Sequence, residues 1–86
     1  MSTTMSRKTI YRDERFHLVE GEDHAVGSFL QLFDKEMEAE TPEGEGLVLD
    51  WSSVFGFERN TTGVNGINAL DIAIKYIENE TALPMD

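Results

Sequence analysis

The feature that most constrains the fold is the spacing of apolar residues between Asp23 and Glu40. These residues fall at i, i+3, i+4, i+7 and i+11, and they are Val26, Phe29, Leu30, Phe33 and Met37. Apolar residues at this spacing line one stripe of an α-helix, so the pattern predicts an amphipathic helix over residues 23–40. Asp23 is placed to cap that helix by accepting a hydrogen bond from a backbone amide of its first turn.

A second helix is predicted over residues 66–80. Its apolar stripe consists of Ile67, Leu70, Ile74 and Ile77. Two further apolar residues, Ile72 and Tyr76, lie off this stripe, so the helix has a second apolar surface.

Strand character is predicted for residues 9–19 and 46–51. Residues 9–19 suit either one long strand or two short strands joined by a charged turn. Residues 46–51 contain the apolar triplet Leu47–Leu49 and predict a central strand, because both faces would be apolar. Residues 54–57 fit either a further strand or a loop.

These elements predict an α+β fold in which a small, mainly antiparallel sheet carries the two amphipathic helices on one face. We expect a single domain over residues 1–86, because a chain this short supports one modest core. A disordered N-terminal tail (about residues 1–8) and a short C-terminal tail (about residues 81–86) would flank it. The predicted core comprises Phe16, Leu18, Val26, Phe29, Leu30, Phe33, Leu47, Leu49, Ile67, Leu70, Ile74 and Ile77.

The net charge of −10 is concentrated in one segment. Residues 21–50 hold nine acidic side chains against Lys35 alone, a balance of −8. This excess disfavours direct binding to nucleic acid or to an anionic membrane. The charge either keeps a small protein soluble or forms an acidic interaction surface. The residues expected on such a surface are Glu22, Asp34, Glu38, Glu43 and Glu45.

No stretch carries a recognisable catalytic, cofactor or metal motif. His17 and His24 lie near acidic residues, but their spacing fits no zinc signature. Asp50 lies at the end of a predicted strand, without a base or nucleophile beside it. The sequence therefore predicts no catalytic, cofactor-binding or metal-binding residue. Four aromatic residues are expected to fill the core, with a small-molecule pocket as the alternative; they are Trp51, Phe55, Phe57 and Tyr76.

Compartment and oligomeric state follow from composition and from leftover apolar residues. The chain contains no cysteine, has no apolar run of membrane-spanning length and begins without the apolar region of a signal peptide. We therefore expect a cytoplasmic protein. Leu32, Ile72 and Tyr76 fall outside the predicted stripes and would remain exposed on a monomer, which predicts a homodimer through an apolar interface. The alternative is that these residues pack on the N-terminal strand.

Three runs carry a resemblance to a known group of proteins: FHLVEGEDH at 16–24, FLQLFD at 29–34 and TPEGEGLVLDW at 41–51. With the residues between them, these runs resemble small uncharacterised acidic proteins of bacterial integrative and conjugative mobile elements, over residues 8–80. The resemblance implies a bacterial cytoplasm and a mobile-element setting. It implies no functional residue.

The sequence favours a non-enzymatic protein-interaction or regulatory protein, such as an accessory protein of a mobile element. One alternative is an acidic mimic of nucleic acid that occupies the basic groove of a host DNA- or RNA-binding protein. The other alternative is a small-molecule-binding module. The partner in the leading hypothesis is another protein, with no direct contact to nucleic acid or membrane.

Overall fold

The computed structural model describes residues 6–41 and 44–81 as a β-meander followed by one helix. Its elements are β1 (Ser6–Arg12), β2 (Phe16–Asp23), β3 (Gly27–Asp34), a 3₁₀ helix (Lys35–Glu40), β4 (Leu47–Ser52), β5 (Gly56–Asn60) and α1 (Ala69–Thr81). The strand order is β1-β2-β3-β4-β5, and every neighbouring pair is antiparallel. The protein is therefore mostly β, and the predicted α+β arrangement of two helices on a small sheet is wrong.

The predicted helix over residues 23–40 is replaced by a hairpin turn, strand β3 and the 3₁₀ helix. The run Phe29–Phe33 is apolar on both faces of β3, because Leu30 and Leu32 point towards α1 whereas Phe29 and Phe33 point away. A short apolar run of this kind satisfies helical spacing by coincidence. The Asp23 carboxylate still accepts a backbone hydrogen bond, from Ala25 at 2.6 Å, but within the β2–β3 turn.

Glycine at position 27 is what closes that turn. Gly27 has a φ of +76°, which residues with a side chain rarely adopt. A Cβ there would also lie 2.2 Å from the Ser53 hydroxyl oxygen, so the Ser53 side chain would have to move away. The β2–β3 hairpin therefore depends on a residue that would have weakened the predicted helix.

Helix α1 packs across β3 and β4 and closes the main core. The sheet contributes Phe16, Leu18, Leu30, Leu32, Val48 and Leu49, and α1 contributes Ala69, Ile72, Ala73, Tyr76 and Ile77. Leu32, Ile72 and Tyr76 are thus buried, and the prediction that they form an exposed apolar interface is wrong. The alanines leave room for α1 to lie close to the sheet, which brings Ile72 and Tyr76 into contact with it.

Half of the predicted core is buried, namely Phe16, Leu18, Phe29, Leu30, Leu49 and Ile77. Val26, Phe33 and Leu47 are half-buried. The prediction is wrong for Ile67, Leu70 and Ile74, which are exposed. The helix has two apolar surfaces, as expected, and the sheet receives the one that carries the alanines.

The N-terminal part of the sheet and the two predicted tails differ only modestly from expectation. Residues 9–19 form two strands joined by a turn, in which the Asp13 carboxylate accepts hydrogen bonds from the backbone amides of Arg15 and Phe16 at 2.8 and 2.7 Å. Residues 6–8, predicted as tail, belong to β1. The remainder of both predicted tails, residues 1–5 and 82–86, lies outside the described residues.

Candidate functional site

A groove lies beside the first turns of α1, on the sheet face that this helix partly covers. Its volume is about 620 Å³, and it is open to solvent. We call it the helix-side groove and define it by Lys8, Glu20, Leu30, Trp51, Ile67 and Leu70. Ile67, just before α1, and Leu70, in its first turn, form an apolar wall. Leu30 and Trp51 form an apolar floor, and the β1 and β2 residues form a charged wall.

The groove exists because one helix is too narrow for this sheet. Five strands at about 4.8 Å spacing span about 19 Å, whereas a helix with its side chains is about 10–12 Å wide. Helix α1 packs on β3 and β4 and covers only the first residues of β2, so Lys8 of β1 and Glu20 of β2 on the same face lack a helix above them. Lys8 and Glu20 consequently remain 75% and 47% exposed, with an ion pair of 4.0 Å between them.

The groove borders the residues just before α1 and in its first turn, up to Leu70, and exposed apolar surface continues from there along the helix to Ile74. Ile67 is 95% exposed, Leu70 39% and Ile74 40%. Leu70 and Ile74 are one helical turn apart and therefore lie on the same flank. Contiguous apolar surface of this kind in a small protein marks an interaction site more often than isolated exposed residues do.

The start of α1 is held in place by Asn68. Its side-chain oxygen accepts hydrogen bonds from the backbone amides of Leu70 and Asp71 at 2.9 and 3.2 Å. This is an N-cap, which satisfies two amides that have no partner within the helix. The apolar wall of the groove is therefore attached to a well-formed helix end.

The far end of α1 is anchored on the carboxylate of Asp34, a fully buried residue. That carboxylate accepts hydrogen bonds from Arg15 Nε at 2.7 Å, Arg15 Nη2 at 2.9 Å, Tyr76 Oη at 2.7 Å and the Glu36 amide at 3.0 Å. It thereby joins the β1–β2 turn, the end of β3, the 3₁₀ helix and α1. The Tyr76 ring also packs edge-on against Phe16, with centroids 5.8 Å apart.

Burial raises the pKa of Asp34, but the donors around it have the larger combined effect. The hydrogen bonds from Arg15, Tyr76 and the Glu36 amide, with the charge of Arg15, hold its pKa below the ordinary value. Asp34 is thus an ionised structural anchor. From sequence, Asp34 is expected on the exposed acidic surface, because nothing in the sequence distinguishes a buried aspartate from its exposed acidic neighbours.

Stability should therefore fall in acid partly through Asp34. A carboxylate with a lowered pKa in the folded state stabilises that state fully above its unfolded pKa, here about 3.8, and loses this contribution as the pH falls through the folded value. We expect the difference in unfolding free energy between wild type and Asp34→Asn to be constant above about pH 5 and to shrink below pH 4. Urea denaturation at successive pH values measures it, and a difference that stays constant down to pH 2.5 would contradict this assignment.

The predicted acidic surface is not formed by its described members. Asp34 is buried, and Glu43 lies outside the described residues. Glu22 is at the β2–β3 end of the sheet, whereas Glu38 and Glu45 border a cleft near the start of β2. Six residues of strand separate these ends, a distance of about 20 Å.

The remaining candidates from sequence do not converge either. His17 lies on the sheet face away from α1, His24 is in the β2–β3 turn, and Asp50 faces Arg59 of β5. Over the ranges that the structure describes, no group of three histidine, cysteine or acidic residues could hold a metal ion. The aromatic residues also separate, because Trp51 lines the groove, Tyr76 is in the core, and Phe55 and Phe57 are exposed.

Comparison with known proteins adds no functional assignment. In residues 6–41 and 44–81, no helix is long and apolar enough to cross a membrane. The resemblance to proteins of mobile elements stays a prediction from sequence, since no protein-family model, curated protein or solved structure matches this chain.

Proposed function

We propose that this chain is a non-enzymatic protein-interaction protein whose helix-side groove receives an amphipathic helix of a partner protein. The observation that carries the proposal is the exposed apolar flank of α1 beside an uncovered part of the sheet. A helix laid in the groove would contact Leu30, Trp51 and Leu70. A helix that extends from the groove along α1 would also contact Ile74, one turn beyond Leu70. Helix-in-groove binding of this type uses apolar residues at i, i+3 or i+4, and i+7.

Charge at the groove specifies the partner further. Lys8 is paired with Glu20, and Glu22 also lines the cavity, so the formal charge of these three residues is −1. The whole chain adds a charge of −10. A partner helix with lysine or arginine beside its apolar stripe complements this field, which would speed association and select against acidic helices.

Capture from a bacterial lysate with matched variants tests the groove. The double variant Leu70→Lys with Ile74→Lys places two cations on the apolar flank and should abolish capture of the partner. The control, Val54→Lys with Phe55→Lys, makes the same change at two residues of the β4–β5 turn that are each 59% exposed. We expect the control to capture the wild-type partner. Equal capture by both variants, or loss in both, would contradict the proposal.

A second copy of the chain is the other occupant to be tested. Sedimentation equilibrium distinguishes it, since groove-mediated pairing would give a wild-type dimer and a monomeric Leu70→Lys, Ile74→Lys variant. That result would show that the occupant of the groove is a second copy of this chain and not a different protein.

The setting we propose is a bacterial cytoplasm, with an accessory role on a mobile element. The resemblance supports this setting, and a chain without cysteine suits a reducing compartment.

A further inference from the structure

The sheet face away from α1 carries a row of three side chains with distinct chemistry. Arg12 on β1 lies opposite His17 on β2, and His17 lies opposite Phe33 on β3. The His17 and Phe33 rings are 6.2 Å apart and tilted by 38°. Directly opposed residues on one face have Cβ atoms about 5 Å apart, so the guanidinium, imidazole and phenyl groups form one continuous strip.

This strip lines a cleft of about 310 Å³, which we call the basic cleft. Four of the seven lysine and arginine residues of this acidic chain border it. They are Arg7, Arg12, Arg15 and Lys35. The acidic residues at the cleft are Asp13, Glu38 and Glu45.

Two of these charged groups already bind other groups of the protein. Arg15 binds Asp34 and Glu36, and the Asp13 carboxylate accepts hydrogen bonds from the Tyr11 hydroxyl and two backbone amides. Arg7, Arg12 and Lys35, by contrast, form no ion pair with another residue of the described ranges. These three cations are available to a ligand.

Two arginine charges act on His17. Burial lowers the pKa of His17, and the charges of Arg12 and Arg7 lower it further. One imidazole nitrogen, Nε2, is 2.8 Å from the Thr9 hydroxyl, which can donate or accept. The other ring nitrogen has no hydrogen-bond partner within residues 6–41 and 44–81.

We infer that the basic cleft binds a small organic phosphate. The Arg7 and Arg12 guanidinium groups and the Lys35 ammonium would contact the phosphate oxygens, since arginine donors match phosphate geometry. His17 would donate from its unpartnered ring nitrogen, and the Phe33 ring would support a flat part of the ligand. The volume lies at the lower end of ligand pockets, which run from about 300 to 1,000 Å³.

The acidic surroundings limit the ligand to a small one. Glu38 and Glu45 border the cleft, and the chain as a whole is strongly negative. A polyanion such as nucleic acid would meet this repulsion beyond the cleft, whereas a single phosphate group would meet mainly the three cations. The inference does not depend on the helix-side groove, which lies on the other face of the sheet.

The two histidines allow a direct test with phenyl phosphate as the probe. A bound phosphate should favour the charged imidazole, so saturating probe should raise the pKa of His17 by at least about half a unit in an NMR titration. His24, exposed in the β2–β3 turn at the far end of β2, serves as the internal reference and should not respond. Sodium chloride at equal ionic strength controls for screening.

Matched variants separate binding in the cleft from a general charge effect. Arg12→Gln should reduce the probe-induced shift of His17 at least fivefold, and Lys35→Gln should reduce it as well. Lys75→Gln removes one exposed cation from α1 and should leave the shift intact. The inference would be overturned by equal shifts at His17 and His24, or by a full shift in Arg12→Gln. All three variants, at Arg12, Lys35 and Lys75, alter exposed side chains. An unchanged melting temperature would verify that each variant is folded.

Discussion

Replacing Asp34 by alanine should lower the free energy of unfolding by about 3–5 kcal/mol, because removal of one partner leaves the other buried groups without an acceptor. Arg15 would lose two hydrogen bonds, and the Tyr76 hydroxyl and the Glu36 amide one each. Arg15 is 23% exposed, so water can reach part of it and the lower end of that range is the expected result. Urea denaturation measures the change.

Asp50→Ala is the matched control for this substitution. Asp50 is also an aspartate in a strand, but it is half-buried and faces Arg59 across the open side of the sheet. We expect it to cost less than about 1 kcal/mol. Equal losses in the two variants would show that Asp34 is not the anchor of α1.

Ile72→Ala should lower the free energy of unfolding by about 2–4 kcal/mol, whereas Ile74→Ala should cost less than about 1 kcal/mol. The two residues are of the same type and lie in the same helix, but Ile72 is 1% exposed and Ile74 is 40% exposed. Truncating the buried residue leaves a cavity against the sheet. Truncating the exposed residue removes only surface contact.

Thermal or urea unfolding of this pair determines which flank of α1 faces the core. The predicted apolar stripe of the helix would give the opposite order, with Ile74 the costly position. A larger loss of unfolding free energy for Ile74→Ala than for Ile72→Ala would therefore support the predicted stripe. It would also show that Ile74 faces the core and is not part of an exposed apolar flank.

The error over residues 23–40 has a local cause. Helical spacing and a strand with two apolar faces both accommodate the run Phe29–Phe33, and periodicity alone cannot separate them. The signals against a helix were Gly27 and Ser28, both weak helix formers inside the proposed span. Their true role, closing a hairpin against Ser53, depends on the β4–β5 turn, 25 residues after Ser28, and has no local signature.

Helix α1 shows a different limit. Its position along the chain was predicted well, as was the presence of two apolar surfaces. Which of the two surfaces packs on the sheet is decided by the size and shape of their side chains. The flank with Ala69 and Ala73 allows close approach, and Tyr76 reaches Asp34 only in that orientation. Asp34 and Tyr76 are 42 residues apart, so this choice could not be made from the spacing within the helix.

The basic cleft was also missed, for a related reason. Residues 1–20 have a net charge of only +1, so the sequence shows no basic cluster there. Pairing of β1 with β2 and the position of the 3₁₀ helix bring Arg7, Arg12 and Lys35 to one cleft. Long-range pairing concentrates charges that are dispersed along the chain.

Site-specific photocrosslinking tests the central claim, that the exposed flank of α1 receives a partner helix, most directly. Benzoylphenylalanine would replace Ile74 on that flank or, as the control, Phe55 on the β4–β5 turn, and the crosslinked segment would be mapped by mass spectrometry. We predict an adduct at position 74 to a partner segment with apolar residues at helical spacing and flanking lysine or arginine, and none at position 55. No adduct at position 74 above the control, or an adduct there to an extended acidic segment, would contradict the claim.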